Sequence, residues 1–166
     1  MSHVRYLIFA GQAQEESFPS ISRLLRAFAL AKYLRASELY VLASDMLANP
    51  AVSAASYFIF ERTVDHLTKA RDMEAYNVKE VFEPYLAIAT AEGEHGAAKC
   101  LQKSVRISQT ITSLAESILL KLQHTAEEPE IGDIYICSTC GEVAPDVPPV
   151  ECPCCGSSAA DFLVIV

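Results

Sequence analysis

The sequence predicts an all-α four-helix bundle followed by a small β/loop domain that is held together by a bound metal. Two observations predict this. Residues 19–126 carry apolar side chains at helical spacing, and five of the six cysteines lie in the last thirty residues. A chain of 166 residues, of which 51% are apolar, is long enough for one packed core with a small appendage.

The helical part is predicted as four amphipathic helices. The first begins near Pro19, since proline is favoured in a first helical turn. The second begins at Asn49, where asparagine precedes proline, and the third begins at Asn77 as a helix cap. The fourth covers about 104–125. Three residues predict a kink or break inside the third helix: Pro84, Gly93 and Gly96.

The composition changes after the helices. We predict a bundle over 1–126, a polar linker over 127–133 and a metal domain over 134–166. The last segment has no helical period, a proline-rich loop and a short apolar end. Its core is too small to fold unaided, so it requires a staple such as a metal ion.

Cysteine spacing predicts the metal site. Two C-x2-C pairs are separated by eleven residues, and each pair can present two thiolates from one tight turn. The predicted ligands are Cys137, Cys140, Cys152 and Cys155. Gly141 and Gly156 each follow a pair, where glycine tolerates the positive φ of a tight metal-binding turn. Cys154 occupies the variable middle position and is predicted to be a bystander.

Charge and hydropathy exclude several classes of partner. The net charge of −8 disfavours binding to nucleic acid or to an anionic membrane surface, because both require a basic footprint. It would suit docking of a basic partner protein. The most apolar run is interrupted by polar residues, so no membrane span is expected, and we expect a reduced, cytoplasmic protein. Cys100 is expected to be a small buried hydrophobic residue.

The residues around the cysteines carry a resemblance to a known family. "YICSTCG" and "ECPCCGSSAADF" resemble the two knuckles of rubredoxin, including an aspartate–aromatic pair at Asp161 and Phe162. Rubredoxin holds one iron ion by four cysteines and passes one electron. Zinc accepts the same four-thiolate cage, so zinc stays open as a replacement for iron.

A helical bundle with such a tail resembles the rubrerythrin family. The stretches "LLRAFALAKYLRASELY" and "IFERTVDHLTKARDM" contribute to the resemblance, which covers about 20–166. It implies a ferritin-like bundle with a di-iron carboxylate site that reduces hydrogen peroxide. It also implies electron supply from the rubredoxin centre, and a homodimer.

The di-iron ligand pattern of this family is largely missing here. Carboxylates and histidines facing the bundle interior are needed to hold two ferrous ions. Apolar residues stand at the corresponding positions instead: Ala31, Leu67, Ala70, Ala97 and Leu119. The resemblance therefore implies that a di-iron centre in the bundle is lost.

Some acidic residues and one histidine keep the alternative of an altered metal site open. One alignment retains Glu94 and Glu116 at family positions, whereas a competing alignment matches Glu92 and His95 to the last Glu-x-x-His of the family. A rebuilt or single-metal site would draw on Glu38, Asp65, Glu92, Glu94 and His95.

These observations favour a rubrerythrin-like electron-transfer protein whose working centre is one iron ion bound by four cysteines. It would receive or donate electrons through a redox partner protein. Two alternatives stay open: a peroxide reductase with an altered di-metal site, and a non-catalytic partner-binding bundle with a structural zinc.

Overall fold

The computed structural model describes residues 2–44, 61–124 and 127–166. The helical segments are α1 (Ser2–Glu15), α2 (Pro19–Ser44), α3 (Thr63–Tyr76), a π-helical segment (Asn77–Phe82), α4 (Glu83–Ala91) and α5 (His95–His124). Within the described residues, no helix is both long and apolar enough to cross a membrane.

Four helical rods form the part of the bundle that the structure describes. α1 and α2 make one antiparallel hairpin, while α3, the π-helical segment and α4 run on without interruption and pack along α5. The apolar faces of both pairs meet in one core that includes Phe28, Leu67 and Ile111, all of which are fully buried. The predicted all-α bundle is therefore confirmed.

The first rod was missing from the sequence prediction. α1 buries one stripe of side chains at spacings of three and four residues: Tyr6, Phe9, Ala10 and Ala13. That period was present in the sequence, although Gly11 and the polar residues between the buried positions obscure it. α2 begins at Pro19 as predicted.

The boundaries predicted for the third and fourth helices are wrong. Asn77 does not cap a new helix, because its φ of −59° and ψ of −40° are helical and the chain continues through it. The break falls at Gly93, whose φ of +75° favours glycine, and α5 then runs unbroken past residue 104. The predicted start at Asn49 lies outside the described residues.

A three-stranded antiparallel sheet forms the C-terminal part, in the order β2-β1-β3. Its strands are β1 (Ile134–Cys137), β2 (Val143–Pro145) and β3 (Phe162–Ile165). Ile136 pairs with Val143, and Cys137 pairs with Phe162. Ile134, Ile136 and Val143 belong to the same apolar cluster as the bundle core, so the sheet is packed directly onto the helices.

Candidate metal centre

Four cysteine side chains meet at the end of the small sheet. The sulfur atoms of Cys137, Cys140, Cys152 and Cys155 all lie within 4.8 Å of one another. The Sγ–Sγ distance is 3.7 Å between Cys137 and Cys155, and 3.6 Å between Cys140 and Cys152. A tetrahedral ion with metal–sulfur bonds of about 2.3 Å requires sulfur–sulfur edges of about 3.8 Å. The cage therefore fits one tetrahedral iron or zinc ion.

Each cysteine pair lies on a tight turn of the same construction. The Gly141 N–H donates to the carbonyl oxygen of Cys137 at 2.8 Å, and the Gly156 N–H donates to that of Cys152 at 2.8 Å. The two glycines have φ values of +86° and +79°, in the region that only glycine adopts without strain. The positive φ predicted from the C-x2-C-G pattern is therefore present in both turns.

Backbone N–H groups surround the sulfurs. The N–H groups of Cys140 and Thr139 point to the sulfur of Cys137, and those of Cys154 and Cys155 point to the sulfur of Cys152. Burial raises the pKa of both thiols, and these hydrogen bonds oppose that rise because they favour the thiolate. A positive metal ion would complete the stabilisation, since the metal ligand is the thiolate and not the thiol.

Cys155 differs from the other three ligands because it is only half-buried, whereas the others are buried. Burial opposes its ionisation, but hydrogen bonds with the side chain and backbone of Ser157 outweigh it and lower the pKa of Cys155 to about 7. Its Sγ lies 3.2 Å from Ser157 Oγ. The Cys155 sulfur is the part of the cage that faces solvent.

Cys154 lies outside the four-sulfur group. Its thiol contacts that of Cys140, and this contact together with burial raises the pKa of Cys140. It also packs against the edge of the apolar core. The structure thus places Cys154 beside the cage as a neighbour of one ligand.

The first metal-binding turn, which carries Cys137 and Cys140, packs directly against the bundle. A Cβ atom added to Gly141 would lie 3.0 Å from both Cα and the carbonyl oxygen of Ala31 in α2. A side chain at residue 141 would not fit at 3.0 Å, because its neighbours are backbone atoms of a helix that cannot easily move. Gly141 therefore serves two purposes: it permits the turn, and it lets the metal domain approach α2.

A buried ionic contact fixes the same domain to α5. Glu142, which is 4% exposed, accepts a hydrogen bond from Thr110 Oγ1 at 3.2 Å and pairs with Arg106 Nε at 3.3 Å. Since Glu142 follows the knuckle glycine directly, the turn that carries Cys140 is held against two helices of the bundle.

Among the described residues, the bundle interior holds one fully buried carboxylate, Glu74 on α3. It pairs with the Lys32 ammonium and accepts hydrogen bonds from Tyr6 at 2.8 Å and from Ser108 at 2.6 Å. Lys32 also donates to Ser108 at 2.9 Å. Burial lowers the pKa of Lys32, and the adjacent Glu74 carboxylate opposes that shift. Four rods thus contribute one residue each to a closed polar cluster.

The acidic residues and histidine predicted for an altered bundle site lie elsewhere. Glu92, Glu94, His95 and Glu116 are exposed, and the first three surround the turn between α4 and α5. Glu38 pairs with Arg35 and Lys103, and Asp65 pairs with Arg62. Within the described residues, the four cysteines form the only group of three or more potential ligands within reach of one ion.

A di-iron centre therefore does not fit the described bundle interior. Three of the positions where the resemblance places ligands, Ala31, Leu67 and Ala70, are apolar and fully buried. Outside the described side chains, the sequence adds only Asp45 and His124 as carboxylate or imidazole ligands. Two irons in a ferritin-like bundle require several carboxylates and histidines facing inward.

Sequence reasoning did not single out the Lys32–Glu74 pair. Glu74 lies four residues after Ala70 and seven after Leu67, so helical spacing placed it on the buried face. Its partner is 42 residues away in the sequence, and no local pattern reports a contact at that separation.

Comparison with known proteins agrees with the geometry. Rubrerythrin-2 from Clostridium acetobutylicum is 28% identical over 165 residues, covering 98% of this chain and 88% of the relative. Nigerythrin from Nitratidesulfovibrio vulgaris is 25% identical over 161 residues, covering 93% and 74%. No family model matches the chain.

Solved structures of nigerythrin share the fold. The mixed-valence form superimposes with a TM-score of 0.86 at 19% identity, and the fully reduced, all-ferrous form with a TM-score of 0.85 at 20% identity. Both matches cover 98% of this chain, and 78% and 79% of the nigerythrin chains. With its helical bundle and C-terminal four-cysteine cage, the chain is similar in sequence to rubrerythrin-2 and nigerythrin and shares the fold of nigerythrin.

Proposed function

We propose that this protein transfers single electrons through one iron ion held by Cys137, Cys140, Cys152 and Cys155. The observation that carries the proposal is the sulfur cage itself: four thiols at tetrahedral spacing, ringed by backbone N–H groups. An iron ion bound there would supply one-electron chemistry. Zinc in the same cage would be redox-silent.

The ligands and the backbone around them would each contribute to electron transfer in a specific way. The four thiolates bind the ion, and the N–H groups directed at sulfur stabilise the negative charge that increases on reduction. Three ligands are buried, so water is kept from most of the cage, while the half-buried Cys155 provides an edge for electron entry or exit.

A redox partner would approach this exposed edge. The protein has a net charge of −8, so a basic partner protein would be steered towards it at low ionic strength. We further propose a homodimer, which the family resemblance implies. Sedimentation equilibrium at several protein concentrations measures the assembly, and a monomer at all concentrations contradicts the dimer.

We propose that the bundle holds no di-iron centre. The support is physical: the interior is filled by hydrocarbon at Ala31, Leu67 and Ala70, and its buried carboxylate already has the Lys32 ammonium as counter-ion. A second ion at Glu74 would have to displace a bonded cation in a desolvated site. Peroxide reduction at an altered di-metal site is therefore the weaker candidate.

A structural role for the metal is the second candidate function. Ile134, Ile136 and Val143 belong to the same apolar core as the helices. A zinc ion that stabilises the sheet would therefore also stabilise the packing of the sheet against the bundle. The division into residues 1–126, 127–133 and 134–166 remains a prediction in both cases.

One experiment separates electron transfer from the structural role. Protein isolated with its native metal is titrated with a one-electron reductant while the visible absorption is followed. Electron transfer predicts a coloured ferric tetrathiolate that bleaches with one electron per chain and recovers on reoxidation. A colourless protein containing zinc contradicts electron transfer and supports the structural role.

A further inference from the structure

A small cavity lies between α1, α2, the π-helical segment and α5, apart from the cysteine cage. Its volume is about 220 Å³, below the roughly 300 Å³ of typical pockets for drug-sized ligands. Its polar lining residues are Ser2, His3, Lys32, Arg35, Asn77 and Ser104, and its apolar ones are Ala36, Leu39 and Phe82. The size excludes a nucleotide or dinucleotide cofactor and suits a ligand of a few heavy atoms.

The wall of this cavity contains two cations and, among the described residues, no carboxylate. This is unusual in a chain with a net charge of −8. Arg35 is 4% exposed, and the side chain of Lys32 is 10% exposed, so both charges are largely desolvated. Burying a charge is costly unless a counter-charge accompanies it.

The carboxylates beside the cavity do not balance the cations. Glu74 pairs with Lys32, whereas Glu38 is shared between Arg35 and Lys103. Cys100 accepts a hydrogen bond from Arg35, with 2.8 Å from Nη2 to Sγ, but burial raises the pKa of this thiol and keeps it neutral. Three cations thus face two carboxylates among the described groups, which leaves an excess of one positive charge.

Lys32 and Arg35 each have one N–H group left over after their hydrogen bonds to the described residues are counted. A lysine ammonium has three N–H groups, and the bonds of Lys32 to Glu74 and Ser108 use two of them. An arginine guanidinium has five, and the four bonds of Arg35 to described partners leave one. Lys32 and Arg35 lie three residues apart on α2, and both line the cavity.

The remaining wall suits a short hydrocarbon tail. Phe82 lies with its ring centroid 5.8 Å from Lys32 Nζ, and Leu39 and Ala36 line the same cavity. Asn77 and Phe82 begin and end the π-helical segment. Such π-helical turns inside α-helices are frequently found at functional sites.

We propose that this cavity binds a small monoanion, a short-chain carboxylate, whose oxygens accept hydrogen bonds from Lys32 and Arg35 and whose hydrocarbon part contacts Phe82. The single excess charge favours a monoanion over a phosphate dianion. The site does not depend on electron transfer at the cysteine cage.

Binding is tested on the full chain with zinc in the cysteine cage, because zinc is diamagnetic and permits NMR. The probes are sodium propionate and inorganic phosphate at matched ionic strength, with sodium chloride as the reference. We expect propionate to cause saturable shifts of the Asn77 side-chain amide and the Phe82 backbone amide, with weaker binding of phosphate.

Two variants test the assignment. Arg35→Gln removes the excess charge while Lys103 still pairs with Glu38, and we expect propionate binding to weaken at least about tenfold. Ala36→Leu fills the cavity mouth and leaves both cations in place, with the same expected loss. Ala87→Leu, at an exposed position of α4, is the matched control and binds propionate like the parent chain. Shifts that do not saturate, or unchanged affinity in Arg35→Gln and Ala36→Leu, overturn the proposal.

Discussion

Gly141 of the first metal-binding turn lies directly on the backbone of Ala31 in α2, so close that a methyl group at residue 141 would meet Cα and the carbonyl oxygen at 3.0 Å. Ala31 occupies the position where the family resemblance places a carboxylate ligand of the first helix. The cysteine cage is therefore docked onto the helix face where the resemblance would place that ligand.

The contact between Gly141 and Ala31 predicts that an alanine substitution destabilises the protein more at Gly141 than at Gly156. Gly156→Ala should cost about 1–2 kcal/mol of unfolding free energy, because alanine is strained at positive φ. Gly141→Ala should cost about 1–3 kcal/mol more, since its Cβ also collides with α2. Urea unfolding of the metal-loaded variants measures both. Equal losses would show that the approach to Ala31 does not constrain the turn.

The spare cysteine gives a second prediction. Cys154→Ala should retain one metal ion per chain, because its sulfur is outside the cage, whereas Cys155→Ala should lose most of the metal. Elemental analysis after gel filtration compares the two variants. Their substitutions are chemically identical and one residue apart, so each controls for the other. Metal loss in Cys154→Ala with retention in Cys155→Ala would reverse the ligand assignment.

The buried ion pair in the bundle predicts strong coupling. Glu74→Gln keeps one of the two acceptor oxygens that Tyr6 and Ser108 use and leaves the Lys32 ammonium without a counter-charge, which should cost about 3–5 kcal/mol. Adding Lys32→Met to this variant should restore much of the stability. A double-mutant cycle in urea measures the coupling, and purely additive losses would contradict a paired interior.

The same cluster predicts a loss of stability at alkaline pH. Burial, together with the Glu74 carboxylate, raises the pKa of Tyr6 well above its ordinary 10.0. Above pH 10.0 the unfolded tyrosine loses its proton while the native one keeps it, so the native state binds more protons and stability falls as pH rises. Tyr6→Phe should show a smaller decline. Urea midpoints for both proteins on either side of that pH give the comparison, and parallel curves would exclude Tyr6 as the source.

The metal domain was predictable because its information is local. The spacing of Cys137 and Cys140, followed by Gly141, specifies a turn within five residues, and the structure has that turn with the expected positive φ. Cys100 is buried, as expected for an isolated cysteine. Where local chemistry determines the geometry, the sequence was sufficient.

The bundle was predicted as a class and not in its details. α1 was overlooked, and α5 begins at His95, directly after the break at Gly93, instead of near residue 104. The pairing of Lys32 with Glu74 and the contact of Gly141 with Ala31 join residues far apart in the sequence. Such contacts appear only once the rods are assembled.

We propose that each chain carries one redox-active iron, bound by the four cysteines, and no metal in the bundle. The most direct measurement is the metal content of protein made with iron supplied, combined with its visible spectrum. We expect one iron per chain and the red absorption of a ferric tetrathiolate, both lost together in Cys155→Ala. Two or three irons per chain, with iron remaining in Cys155→Ala, would contradict it.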